Sequence, residues 1–198
     1  MKQNFLLIAF LLVIAVNSSC LSQNEIDDME KFEKISWKQL DENVIQLIGH
    51  DWMLISAGNK EDFNMMTASW GTMGWLWQKP VSIIYVRPQR HTFNFTEREE
   101  YYTITFYEEE YREILNLMGS VSGKDFDKMN KSGLTPLETE NGSVGFAEAK
   151  LIIECRKLYA TVIDPEDFID IELEAAIYPR KDYHTMYIGE IVNVWRKK

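Results

Sequence analysis

Residues 66–80 read "MTASWGTMGWLWQKP". A strand built only to pack would draw on Val, Ile and Leu. This stretch instead sets the hydroxyls of Thr67 and Ser69, the small Ala68 and Gly71, and the rings of Trp70, Trp75 and Trp77 close together. That mixture offers main chain and flat rings to something other than a neighbouring strand. The flanks are strand-like. "DWMLISAG" (51–58) and "VSIIYV" (81–86) are apolar runs of strand length, and "YYTITFYE" (101–108) alternates ring and hydroxyl with the two-residue period of a pleated sheet.

Farther along, "IDIELEAAI" (169–177) puts Ile169, Ile171, Leu173 and Ala175 on one side and Asp170, Glu172 and Glu174 on the other. That spacing predicts a strand with one wet face, and so antiparallel pairing. "AKLIIECRKLYATVI" (149–163) and "HTMYIGEIVNVW" (184–195) are long enough for curved strands, with Gly189 a candidate bulge or close-approach point. Helical spacing is confined to "EEEYREILNLMG" (108–119), ended by Gly119, and to the shorter "KDFDKMNKSG" (124–133) and "HTFNFTERE" (91–99), the last with Thr92 as expected N-cap. There is no regular alternation of strand and helix and no G-x-G-x-x-G, so a parallel nucleotide-binding sheet is not supported. The expectation is a mainly β chain, an antiparallel barrel or sandwich carrying about three helices.

The N-terminus is read separately. Lys2, the apolar run "FLLIAFLLVIAV" (5–16) and "NSSC" (17–20) have the layout of a secretory signal. The run is too short to span a bilayer, which takes about 20 apolar residues. Ser18 and Ser19 before Cys20 resemble the cleavage site of a bacterial lipoprotein, although Asn17 stands where such sites carry an aliphatic residue. Two readings stay open: Cys20 as the lipidated first residue, which tethers the protein to a membrane, or ordinary cleavage with a free thiol. Both export the chain. The expected organisation is a signal over residues 1–19, a lipid-anchor Cys and tether over 20–40, and one domain over 41–198.

Without the signal, 20 basic residues face 31 acidic ones, a net charge of about −11, which speaks against nucleic acid as a partner. The chain holds two cysteines; if Cys20 carries lipid, Cys155 has no partner and reads as a small buried hydrophobe.

Against that acidic background "YVRPQRHTF" (85–93) gathers Arg87, Arg90, His91 and Thr92. Pro88 bends the strand, and helix-start amides beside arginine forks make a seat for a phosphate dianion. Spacing alone balances this against arginines paired with surface glutamates.

Four motifs then occur in order: "NMMTASWG" (64–71), "YVRPQRHT" (85–92), "GKDFDK" (123–128) and "HTMYIGEI" (184–191). Together they resemble the flavin reductase-like family with the FMN-binding split barrel, especially its flavoredoxin branch, over roughly residues 44–195. The resemblance implies an antiparallel Greek-key split β-barrel that holds FMN non-covalently, often near a homodimer interface. Carried over residue by residue, it implies Asn64, Thr67, Ala68, Ser69 and Trp70 around the ring edge. Arg87, Arg90 and Thr92 would hold ribityl and phosphate, with Lys124 a weaker candidate. His184 would stand on the side from which nicotinamide approaches in related reductases. Those reductases carry Asp directly before that His; here Tyr183 intervenes and Asp182 is displaced by one, which counts against NAD(P)H. An exported chain would rarely meet NAD(P)H in any case, so a redox protein partner is the expected electron source. No metal is called for. The competing expectation is an exported split-barrel lipoprotein that binds another ligand or a protein without redox chemistry.

Overall fold

The computed structural model describes residues 28–198. The signal segment, Cys20 and the start of the tether lie outside the described residues. Ten strands form the frame: β1 (Phe32–Ile35), β2 (Met53–Gly58), β3 (Phe63–Ala68), β4 (Gly71–Leu76), β5 (Lys79–Val86), β6 (Tyr101–Phe106), β7 (Pro136–Glu138), β8 (Val144–Phe146), β9 (Leu151–Val162) and β10 (Thr185–Lys197). Four α-helices of five residues or more accompany them among the described residues, α1 (His91–Arg98), α2 (Arg112–Ser120), α3 (Lys128–Ser132) and α4 (Ile171–Ile177), and a shorter helical turn, Val44–Gln46, runs on into Leu47–Asp51 ahead of β2. The main sheet runs β3-β2-β6-β9-β10-β5-β4, with β1 extending β5's side of β10. Every pairing is antiparallel. Because β1 joins β10 and Phe32 is buried, the folded part begins ahead of residue 41.

The sheet curls without closing. Its two edges, β3 and β4, are consecutive in the chain and joined only by Ser69 and Trp70. The hydroxyl- and tryptophan-rich stretch from Met66 therefore spans the split.

The central strands are buried on both faces, which explains why β2 lacks a polar alternation. Ile55, Ile104 and Ile153 point into the barrel with Tyr102, Cys155 and Tyr187. Leu54 and Ile152 point out, beneath Leu115 and Met118 of α2 and Phe146 of β8. Cys155 is buried and free, and burial pushes its thiol up to about 12. Gly189 serves both roles expected of it. The β10–β9 register shifts beside it, and a Cβ there would fall 2.5 Å from the Tyr102 hydroxyl oxygen, which bonds Ser82.

Three local expectations change. Residues 171–177 form helix α4, where the alternating pattern predicted a strand. Asp170 caps it by accepting from the amides of Glu172 and Leu173, and the helix leaves Ile171 and Leu173 exposed. Alternation over so short a run fits both periods, and the Asp cap decides. Arg90, not Thr92, stands at the N-cap of α1, without a side-chain cap bond; Thr92 lies one position inside the helix and is buried. Helix α2 runs through Gly119 to Ser120.

Candidate functional site

At the split, the link and the ends of β3 and β5 enclose a cleft of about 550 Å³, counting its open mouth. Met66, Thr67, Ala68 and Ser69 form one wall, and Trp70 and His184 the rim. Tyr85, Arg87 and Arg90 complete it from β5 and the turn that follows. β3 is an edge strand of the main sheet, so its outer main-chain groups are not consumed by another strand. The Thr67 hydroxyl donates to the Leu115 carbonyl at 2.6 Å, which leaves its lone pairs to the cleft. Trp70 is 44% exposed and its ring lies 5.0 Å from that of His184, so it lines the rim and not the core. Trp75 and Trp77 are more exposed still.

The two arginines part company. Arg87 donates to Asp182 at 2.5 Å and to the Ile177 carbonyl at 3.1 Å, and its guanidinium lies over the Tyr178 ring. Arg87, with Gln89, holds the Asp182 carboxyl below the usual carboxylate range. Arg90 donates only to the Met118 carbonyl, at 3.3 Å, and burial lowers its pKa. It has no carboxylate partner among the described residues, so its charge is available to a ligand.

A second groove, about 750 Å³ with its mouth, runs along the first half of β3, from Phe63 to Met65, as the first cleft runs along the second half, from Met66 to Ala68. It is lined by Asn64, Gly123, Lys124 and Lys128. Thr92 donates to the Asn64 Oδ1 at 2.8 Å, so Thr92 is buried behind Asn64 in the wall of this groove and neither lines the first cleft. A Cβ on Gly123 would come within 2.0 Å of Asn64 Nδ2, so a side chain there would have to displace Asn64 from its place beside Thr92. Lys124 is exposed at the groove's edge.

Lys128 is the residue that sequence reasoning missed. Asp127 caps α3, placing Lys128 at its first position with its side chain directed inward. Its Nζ donates to the carbonyls of Met65 (2.7 Å) and Met118 (3.0 Å) and to no carboxylate. Burial, helped by Arg90, pulls it down to about 8. Arg90 and Lys128 thus meet on one carbonyl oxygen between two grooves, a pair of like charges that an anion would relieve. The motif "GKDFDK" contains both lysines, and nothing in its spacing tells which one turns inward.

His184 closes the rim. Its Nδ1 lies 2.8 Å from the Tyr178 hydroxyl, and the Tyr85 ring meets it edge-on. Burial first, then Arg87, lower it to about 4, against the opposing pull of Asp182. It is therefore neutral at pH 7.

No protein of curated function matches the chain. Among solved structures, an FMN-binding domain of a flavin reductases-like enzyme from Shewanella baltica aligns with TM-score 0.61 at 16% identity, over 84% of this chain and 77% of the other. An FMN-binding protein from Thermus thermophilus aligns with TM-score 0.58 at 18% identity, over 82% and 75%. The flavoredoxin of Desulfovibrio vulgaris (Miyazaki F) aligns with TM-score 0.57 at 20% identity, over 81% and 75%. At these identities the likeness establishes the split-barrel fold. A family model described as "Flavin reductase like domain" matches residues 45–198, and the chain belongs to that flavin reductase-like family.

Proposed function

We propose that the protein is an FMN-binding redox protein, with the flavin ring in the cleft of Thr67, Ala68, Ser69 and Trp70 and the phosphate on the side of Arg90 and Lys128. One observation carries this reading: two half-buried or buried cations, in an acidic chain, share the Met118 carbonyl and have no carboxylate partner among the described residues. A barrel built for structure alone gains nothing from burying an unpaired lysine, whose desolvation costs several kcal/mol. The fit extends to the rest of the donor set. Ser69 makes no hydrogen bond within the described protein, and the β3 edge offers main-chain groups to the polar rim of a planar ring.

When bound, FMN supplies the electron-accepting chemistry. The chain's residues orient and hold it. Arg90 and Lys128 bind the phosphate, Ser69 and the β3 main chain fix the ring edge, and Trp70 and His184 keep water from one face. Arg87, already paired with Asp182, is assigned to the ribityl side as a neutralised pair and not as a free charge.

The electron source we assign is a redox protein and not NAD(P)H. The exported leader read in residues 1–19 supports this, as does Asp182, which is committed to Arg87 and Gln89. We further assign a homodimer anchored through Cys20. Trp75, Trp77, Ile169 and Ile171 are large apolar side chains left exposed, of a kind found on contact faces.

The test is the absorbance of purified protein after incubation with FMN and desalting. Retained bands near ~375 and ~450 nm, which belong to the cofactor, support the reading. Colourless protein that takes up no FMN overturns it. Addition of NADH without air should leave the bands in place.

A further inference from the structure

The excursion between β9 and β10 contributes one residue that touches the cleft only through another. Tyr178 follows α4, is 3% exposed, and lies beneath the guanidinium of Arg87. Its hydroxyl and the His184 Nδ1 are hydrogen-bonded at 2.8 Å. In a neutral imidazole one nitrogen carries the proton and the other accepts, and the hydrogen bond at one nitrogen decides which. Here the direction of that bond is set by the phenol's surroundings. Nδ1 is the only hydrogen-bond partner of the Tyr178 hydroxyl among the described residues, and a buried O–H that did not donate to it would be left unpaired, so the phenol donates to Nδ1. Arg87 over the ring opposes a second positive charge at this place. The imidazole proton is then on Nε2. That atom has no protein partner, and it is not a sealed-off polar atom, so it is reached from the cleft that His184 lines.

We infer that Tyr178 is a positioning residue, which holds His184 as a neutral imidazole with its proton on Nε2, so that the cleft presents a hydrogen-bond donor and not a cation at its rim. The matching ligand group is an uncharged acceptor, such as the carbonyl oxygen of a planar amide-bearing ring. A carboxylate or other anion at this point would find no countercharge from His184. The inference rests on the proposed FMN reading for the identity of that ring, but the tautomer does not.

The groups that face the His184 ring are Tyr178 and Asp182 from the excursion, Arg87 and Tyr85 from β5 and its turn, and Trp70 from the link. Of these only Asp182 favours protonation. Tyr183 and Lys181 are turned to Glu174 and not to the imidazole.

The test is long-range 1H–15N NMR of the full chain, ligand-free, with 15N-labelled histidine. The chain holds three histidines, so His184 is assigned by its loss in His184→Gln. Its two nitrogens should give the pattern of the Nε2–H tautomer at pH 7, and that pattern should persist without protonation down to about pH 5. In Tyr178→Phe the pattern should become a tautomer mixture and the ring should begin to protonate above pH 5, while the near-UV circular dichroism stays native. An Nδ1–H pattern in the wild-type protein overturns the inference, as does an unchanged pattern in Tyr178→Phe. If that variant does not fold, the wild-type tautomer still decides. Failure of FMN to bind would remove the flavin reading and leave this measurement standing.

Discussion

Replacing Lys128 with Met separates binding from folding. The side chains are of similar length, so the change removes the ammonium and little volume. In the ligand-free protein, burial shifts this lysine from 10.5 to about 8. At ~1.4 kcal/mol per unit, keeping it charged at pH 7 costs about 3 kcal/mol. Against that stand its bonds to the Met65 and Met118 carbonyls, each worth roughly 1.5 kcal/mol when the donor is charged. These nearly cancel, and Lys128→Met should change ligand-free stability by less than about 2 kcal/mol, a few degrees in Tm for a chain this size.

Affinity should respond differently. A charge-assisted bond to phosphate is worth about 1.5–3 kcal/mol, so the variant should bind FMN roughly 10- to 150-fold more weakly. The pH dependence follows with a definite sign. Binding uses the charged lysine, and a bound anion raises its pKa. Affinity in the wild-type protein should therefore be level from pH 7 to about 8, then fall above it, by up to about tenfold per pH unit, until the pKa of the bound state is reached. In Lys128→Met that fall should vanish. Titration of FMN fluorescence at pH 7, 8 and 9, with thermal unfolding of both ligand-free proteins, reads all three quantities. Unchanged affinity in the variant, or a Tm loss beyond about 10 °C, would refute the assignment of Lys128 to the phosphate.

Two further outcomes concern the frame and the rim. Glu154 is fully buried and accepts from Thr139, from the Asn141 amide and side chain, and from Asn193 at 2.6 Å, which pins the β7–β8 turn to β9 and β10. Glu154→Ala leaves those donors unpaired and should cost about 2–4 kcal/mol in denaturant unfolding without altering FMN affinity; a loss under about 1 kcal/mol would contradict this. His184, lowered to about 4, binds a proton in the unfolded chain before the folded one does. Its share of stability is thus fully present above about pH 6.5 and is lost as pH falls toward 4, by about 1–3 kcal/mol after allowance for solvent at the rim. His184→Gln should flatten that part of the stability profile, and identical profiles would exclude the effect.

Much of the frame was legible because its strands are marked by composition and period. "YYTITFYE" and the two long strands could not be read as helices, and Gly189 announced its bulge by standing alone in an apolar run. α4 was illegible for a physical reason: seven residues of alternating pattern satisfy both periods, and the deciding bond, Asp170 to two amides, is made by a residue that also fits a wet strand face. The cleft was legible where residues act from one continuous segment, Thr67 to Trp70, since their order in the chain is their order along the wall. Contributions that depend on long-range meetings were not. Arg87 and Asp182 lie 95 positions apart, and Lys128 reaches a carbonyl 63 positions away. Thr92 and Asn64 were singled out as ligand contacts, and they are partners of each other at the second groove, which Asn64 lines.

The central claim is that a phosphate-bearing flavin is gripped by Arg90 and Lys128, and the comparison that tests it most directly is FMN against riboflavin, the same ring without the phosphate. Fluorescence titration at pH 7 should give a Kd for FMN at least about 100-fold below that for riboflavin, the combined effect of two charge-assisted contacts. Equal affinity for the two ligands would contradict the account.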